Sequence, residues 1–270
     1  MIKSTKALSE KNLLNLSVKL WFIVAVIGQW IFATYVILFY GKSTVTGHLS
    51  NWNIVLPKGY ISGEHIGNAI VGIHLLLAAI IIIGGPLQII PKMRSYAPLF
   101  HKWNGRLYIF IAFIISLSGL YMVWVRGSIG GMVQHISISI NAILIMVSAF
   151  LAFKYAWMRN FKKHRIWAIR LFLVVNGVWF FRVGLYFWLF INNGPLGFDP
   201  KTFEGPFLYF LTFSQYLIPL ALFELYLNAQ KSHNKVFVIS IATILFLFTI
   251  LIGIGIFAAS SGIWIPKMMY

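Results

Sequence analysis

An all-α integral membrane protein of seven transmembrane helices is predicted by three observations: the composition, the spacing of apolar runs and the placement of charge. The chain is 60% hydrophobic and 10% charged, with a mean hydropathy of +0.84, whereas ordinary soluble domains are about half apolar and about a quarter charged. A water-soluble core of 270 residues could not hide so much apolar surface. Seven runs reach the roughly 20 mainly apolar residues that a membrane helix needs: 18–40, 64–90, 104–125, 132–157, 166–191, 207–228 and 236–264.

The first run follows a basic segment, MIKSTKALSEKNLLNLSVK. It is too long for the core of a signal peptide and lacks a small-x-small cleavage site, so it reads as an uncleaved first span. Pro91 and Pro98 separate spans two and three, and Gly127, Gly130 and Gly131 separate spans three and four. The stretch NNGPLGFDP at 192–200 separates spans five and six. Residues 41–63 are long enough for a small cap outside the membrane. No repeat or soluble domain interrupts the pattern, and 1–270 reads as a single polytopic domain. Spans two to five, about 64–191, form its four-helix core, with spans one, six and seven peripheral.

A net charge of +17 would suggest nucleic acid in a soluble protein, but its distribution argues otherwise. Seven spans put alternate loops on opposite sides. Sixteen cations then fall on one side, including Lys92, Arg94, Lys102, Arg106, Lys162 and Arg170, and five on the other, with Arg182 inside a span. That asymmetry predicts a cytoplasmic N-terminus and an external C-terminus. The expected location is the bacterial cytoplasmic membrane, with membrane lipids as partners and no nucleic acid. The chain has no cysteine, which excludes disulfides, iron–sulfur ligation and covalent haem attachment.

Ionisable groups inside spans are costly and mark function by default. His74 lies in span two, His135 near the outer end of span four, Arg182 well inside span five and Glu224 towards the inner end of span six. Gln29, Asn141, Asn176 and Gln215 can join helices by hydrogen bonds. With His101 and His164 at the inner starts of spans three and five, four consecutive spans each carry a histidine. At about 1.5 Å per residue, His74 stands about 24 Å and His135 about 30 Å above the inner ends of their helices; tilt can absorb the difference. One potential pair, His74 with His135, thus lies near the outer face. The other, His101 with His164, lies at the inner face.

Paired imidazoles can ligate both axial positions of a b-type haem. A macrocycle also needs small residues one turn away, and the i+4 positions are Ala78, Gly105, Ser139 and Ala168. His65, followed by Ala69, is a rival to His74, while His48 and His233 read as solvated loop residues. The plain alternative for the basic and aromatic stretches HKWNGRLY and KKHRIWAIR is an interface belt that anchors helices. No HxxxH or HxxH pair, phosphate-binding glycine loop or serine–histidine–carboxylate set is present.

The segments GGPLQIIPKMRSYAPLFHKWNGRLY (84–108) and KKHRIWAIR (162–170), with Arg182 downstream, resemble a bacterial membrane family known as domain of unknown function 2306. The similarity covers about 66–190 and implies no activity. A looser resemblance is to di-haem cytochrome b561 proteins, which pair the first ligand-bearing helix with the third and the second with the fourth. It implies His74 with His135 and His101 with His164 as ligands to iron in one or two b haems. The resulting expectation is transmembrane electron transfer, with a quinone or other redox partner as donor. Lys102, Arg106 and Arg170 would meet propionates at the inner face and Arg182 would do so towards the outer. The alternatives are a non-enzymatic accessory or scaffold subunit of a membrane assembly, and a small transporter using Glu224 and Arg182. Whether the protein is an enzyme is left open; as one it would be a haem-dependent oxidoreductase.

Overall fold

The computed structural model describes residues 9–269 and is helical from end to end. Lys3 and Lys6 of the basic N-terminal segment lie outside the described residues. The helices are α1 (Glu10–Val36), α2 (Lys42–Val45), α3 (His65–Ile89), α4 (Pro91–Tyr96), α5 (Pro98–Trp124), α6 (Met132–Trp157), α7 (Phe161–Val175), α8 (Gly177–Ile191), α9 (Pro206–Lys231), α10 (Lys235–Ala259) and α11 (Ile265–Met268). Six are long and apolar enough to cross a membrane, α1 and α10 together with their π-helical extensions. Counted as one span, the pair α7 and α8, bent by 48°, makes a seventh among the described residues.

Local chemistry sets the ends. Ser9, Asn160 and Asn234 accept backbone N–H groups at the starts of α1, α7 and α10, the usual remedy for a first turn that has no carbonyl partner. Proline opens α4, α5 and α9, where a missing N–H costs nothing. The α5 helix begins at Pro98 rather than near 104, so His101 already lies in its first turn.

The expected single span over 166–191 is broken. Asn176 ends α7 and donates its amide to the Phe172 carbonyl at 2.7 Å, while the Asn141 amide of α6 takes the Val174 carbonyl at 3.2 Å. The Phe172 carbonyl also keeps the Asn176 backbone N–H at 3.3 Å, while at Val174 a side chain inserts into the helical ladder, a recognised cause of a kink.

Helices α3, α5, α6 and α7 pack in succession, as the four-helix core requires. The flanking helices are not mere additions: α1 packs along α10 and α3, and α10 packs along α8. Phe32, Tyr35 and Phe39 from the α1 segment share the main core with Tyr108, Phe172 and Trp179. Gly255 lets α10 approach the α8 backbone, where an added Cβ would stand 2.5 Å from the Val183 carbonyl oxygen. Large apolar side chains such as Ile23, Phe110, Phe150 and Leu247 face outward, as lipid exposure favours.

The segment between α2 and α3 forms the expected cap. Trp52 is buried over Gly72 and donates to the Tyr40 carbonyl at 3.3 Å. Arg126 donates to the Lys58 carbonyl at 3.0 Å and to Asn68 at 2.7 Å, which ties the cap to the end of α5. The end bearing Lys92, Arg94, Lys102 and Lys162 is the basic end below; the capped end is its opposite.

Candidate functional site: two polar clusters at opposite ends of the bundle

At the basic end His101 stands on α5 and His164 in the first turn of α7. His164 Nδ1 lies 2.9 Å from the Ala152 carbonyl of α6. A carbonyl only accepts, so Nδ1 carries the proton and Nε2 keeps its lone pair. This is the orientation that equips a histidine to ligate a metal. His101 Nδ1 is buried and has no hydrogen-bond partner. The two imidazoles lie within electrostatic reach of each other and of Arg94. Gln88 of α3 closes one side: its amide donates to the His101 carbonyl at 3.2 Å, and its Oε1 would be 3.3 Å from a Cβ on Gly105.

Two imidazoles with nitrogens to spare fit the donor set of a b-type haem. The small face of Gly105 is occupied by Gln88, so a macrocycle seated there displaces that amide.

The expected cationic partners differ in availability. Arg170 lies 4.4 Å over the Trp167 ring and bonds the Glu224 carboxylate of α9 at 2.7 Å. Its charge is therefore already matched. Glu224 pairs with Arg170, while Arg182 forms no ion pair among the described residues. Lys102 and Arg106 are exposed, with Arg106 stacked 4.9 Å over Trp103, and neither forms an ion pair among the described residues.

Towards the capped end His74 and His135 are held by different serines. His74 Nδ1 is 2.8 Å from Ser118 Oγ, whose own proton serves the Ile114 or Ile115 carbonyl at 2.9 or 3.1 Å. The imidazole N–H is therefore the donor, and Nε2 is left unprotonated. His135 uses its Nε2 on Ser128 at 3.2 Å and sets its ring edge-on to Trp124. His65 is exposed at the start of α3, and His48 and His233 are exposed in loops.

Arg182 of α8 lies 5.4 Å over the Phe32 ring, and Tyr35, Tyr40, Tyr186 and His74 share its field. Its Nε is buried without a partner, as are both amide atoms of Gln29, Trp179 Nε1 and Ser260 Oγ. These groups come from α1, α8 and the π-helical turn after α10. Sequence reading singled out Arg182 and Gln29 but missed Tyr35, Trp179 and Ser260, which carry no signal in a hydropathy profile. It also gave no role to Gln88, a polar residue one position before the end of α3. Among the described residues no group of three or more His, Asp or Glu is placed to hold a metal ion.

Long apolar helices with apolar exteriors and polar ends define a multi-pass membrane protein of the all-α class. Residues 71–200 match the family described as "Predicted membrane protein (DUF2306)". The matched segment carries all four core histidines and Arg182 and leaves out α1, α9 and α10. No curated protein and no solved structure matches the chain.

Proposed function

We propose that the protein carries electrons at the basic end of the bundle through one b-type haem ligated by His101 and His164. One observation supports this above the rest: His164 is fixed by the Ala152 carbonyl with Nε2 free, beside a second imidazole whose buried Nδ1 has no partner. A bound haem b supplies reversible one-electron redox chemistry at its iron. The chain itself would set the ligand tautomer through Ala152, keep the site against Gln88 and offer Lys102 and Arg106 to propionates. The cation asymmetry supports a cytoplasmic basic end in a bacterial inner membrane, with a quinone or another redox protein as partner. A second haem between His74 and His135 would use His74 Nε2, but on His135 it would use Nδ1 or break the bond to Ser128.

The test is spectroscopic. Protein expressed with haem supplementation and purified in mild detergent is expected to show a Soret band that sharpens on reduction. His101→Ala and His164→Ala should each abolish it, whereas His48→Ala should not. A wild-type preparation without the band ends the reading.

A second reading, an accessory subunit of a membrane assembly, is favoured by the cation–aromatic pairs Arg106–Trp103 and Arg170–Trp167 at the same end. A haem-free preparation that retains a stoichiometric partner, lost on Trp103→Ala, would establish it.

A further inference from the structure

One large cavity is lined by none of the four core histidines. It encloses about 1590 Å³ between α1, α7, α8, α9 and α10, and it is partly open to the surroundings. Its walls are almost wholly hydrocarbon, with Phe180, Phe210, Phe248 and Leu251 typical of them. At the basic end three cations line it: Lys19 of α1, Lys92 at the start of α4 and Arg165 of α7. No carboxylate lines the cavity, and none of the three cations is in an ion pair among the described residues. At the other end the lining is Trp188, Gly197, Pro206 and Phe207, and the Trp188 indole N–H is already committed to the Leu196 carbonyl at 2.7 Å. The α9 wall runs from Phe207 to Tyr226, about 29 Å at about 1.5 Å per residue. That length is close to the roughly 30 Å hydrocarbon thickness of a bilayer.

These features select an occupant. Apolar walls exclude a water-filled channel and call for a hydrocarbon tail. Three cations lining one end of the cavity without counter-charges call for an anionic head, and phosphate meets lysine and arginine with short charge-assisted hydrogen bonds. An acyl chain of one leaflet would fill only half the length. A second lipid head at the far end would find neither a charge nor a free indole donor. We propose that the cavity binds one long-chain polyprenyl phosphate, with the phosphate on Lys19, Lys92 and Arg165 and the single tail running the full depth of the membrane. The proposal is independent of the haem reading, since the two sites share no residue.

The test uses the full chain in phosphatidylcholine nanodiscs, with bound lipid counted by native mass spectrometry and affinity taken from titration. One long-chain polyprenyl phosphate per protein is expected. Replacing all three cations (Lys19→Gln, Lys92→Gln, Arg165→Gln) should weaken binding roughly a hundredfold, at about fivefold per cation lost near a membrane surface. Lys92→Gln alone should cost about fivefold and Lys92→Arg almost nothing, which separates loss of charge from loss of fold. Ser214→Trp, which fills the cavity while leaving the cations in place, should also reduce binding. Geranyl phosphate, with the same head and a short tail, should bind at least about tenfold more weakly, because most of the buried tail area is lost. The proposal fails if phosphatidylglycerol or uncharged polyprenol binds as tightly, or if the Lys92→Gln and triple variants bind like the wild type.

Discussion

Gly253 and Gly255 stand two residues apart on α10, yet alanine at each should move stability in opposite directions. A Cβ on Gly255 would lie 2.5 Å from the Val183 carbonyl oxygen and 2.6 Å from Val183 Cγ1. The first obstacle is backbone, which cannot rotate away, so α8 and α10 must separate. Such overpacking costs about 1–3 kcal/mol, against a helix-propensity gain for alanine of about 1 kcal/mol. The net expectation for Gly255→Ala is a loss of up to about 2 kcal/mol, the difference between those two effects. At Gly253 the nearest atom to a Cβ is Val24 Cγ1 at 4.0 Å, an ordinary contact. Gly253→Ala should therefore keep up to about 1 kcal/mol of the propensity gain. For a chain of this size 1 kcal/mol corresponds to roughly 2 °C in Tm. Thermal unfolding in detergent, at one scan rate because such unfolding is often irreversible, should show Gly255→Ala lower by up to about 4 °C and Gly253→Ala higher by about 1–2 °C. If both variants rise together, the close approach of α8 and α10 is wrong.

Two further perturbations address the bent crossing and the paired charges. Asn141→Leu removes the donor to the Val174 carbonyl; interhelical hydrogen bonds in membranes are worth about 0.6 kcal/mol on average, so a fall of about 1 °C in Tm is expected, with faster amide exchange near residue 177. Glu224→Gln leaves Arg170 without its counter-charge, but the carboxylate is 47% exposed and solvent screens the pair, so the cost is held to about 0–1 kcal/mol. High salt should shrink that cost, and the Arg170→Gln, Glu224→Gln double variant should lose little more than either single one.

Much of the fold is legible in the sequence because lipid imposes a coarse rule. Each crossing needs about 20 apolar residues, and Pro91, Pro98 and the 192–200 stretch mark where the runs stop. The break at Asn176 is less legible, since hydropathy does not report which carbonyls lose backbone partners. Asn141 and Asn176 were identifiable as polar residues in apolar runs, but only their three-dimensional placement shows them capping the two sides of one bend. Depth counting could have found the Arg170–Glu224 pair. Arg170 is nine residues from the start of α7 and Glu224 seven from the end of α9, both measured from the basic end, which at about 1.5 Å per residue puts them at similar heights. Lys19, Lys92 and Arg165 were legible only as topology charges. That they line one cavity depends on the lateral order of α1, α3 and α7, which a single sequence does not encode.

The interruption between α7 and α8 divides more than a helix. The lower segment leans on α6 and α9, and the upper on α10 and α9, so the two halves share one neighbour and differ in the other. A continuous rod would pass any tilt of its foot straight to its head. A jointed strut does not, and whatever docks beside His164 can shift the lower half while the Arg182 level stays in register with α10.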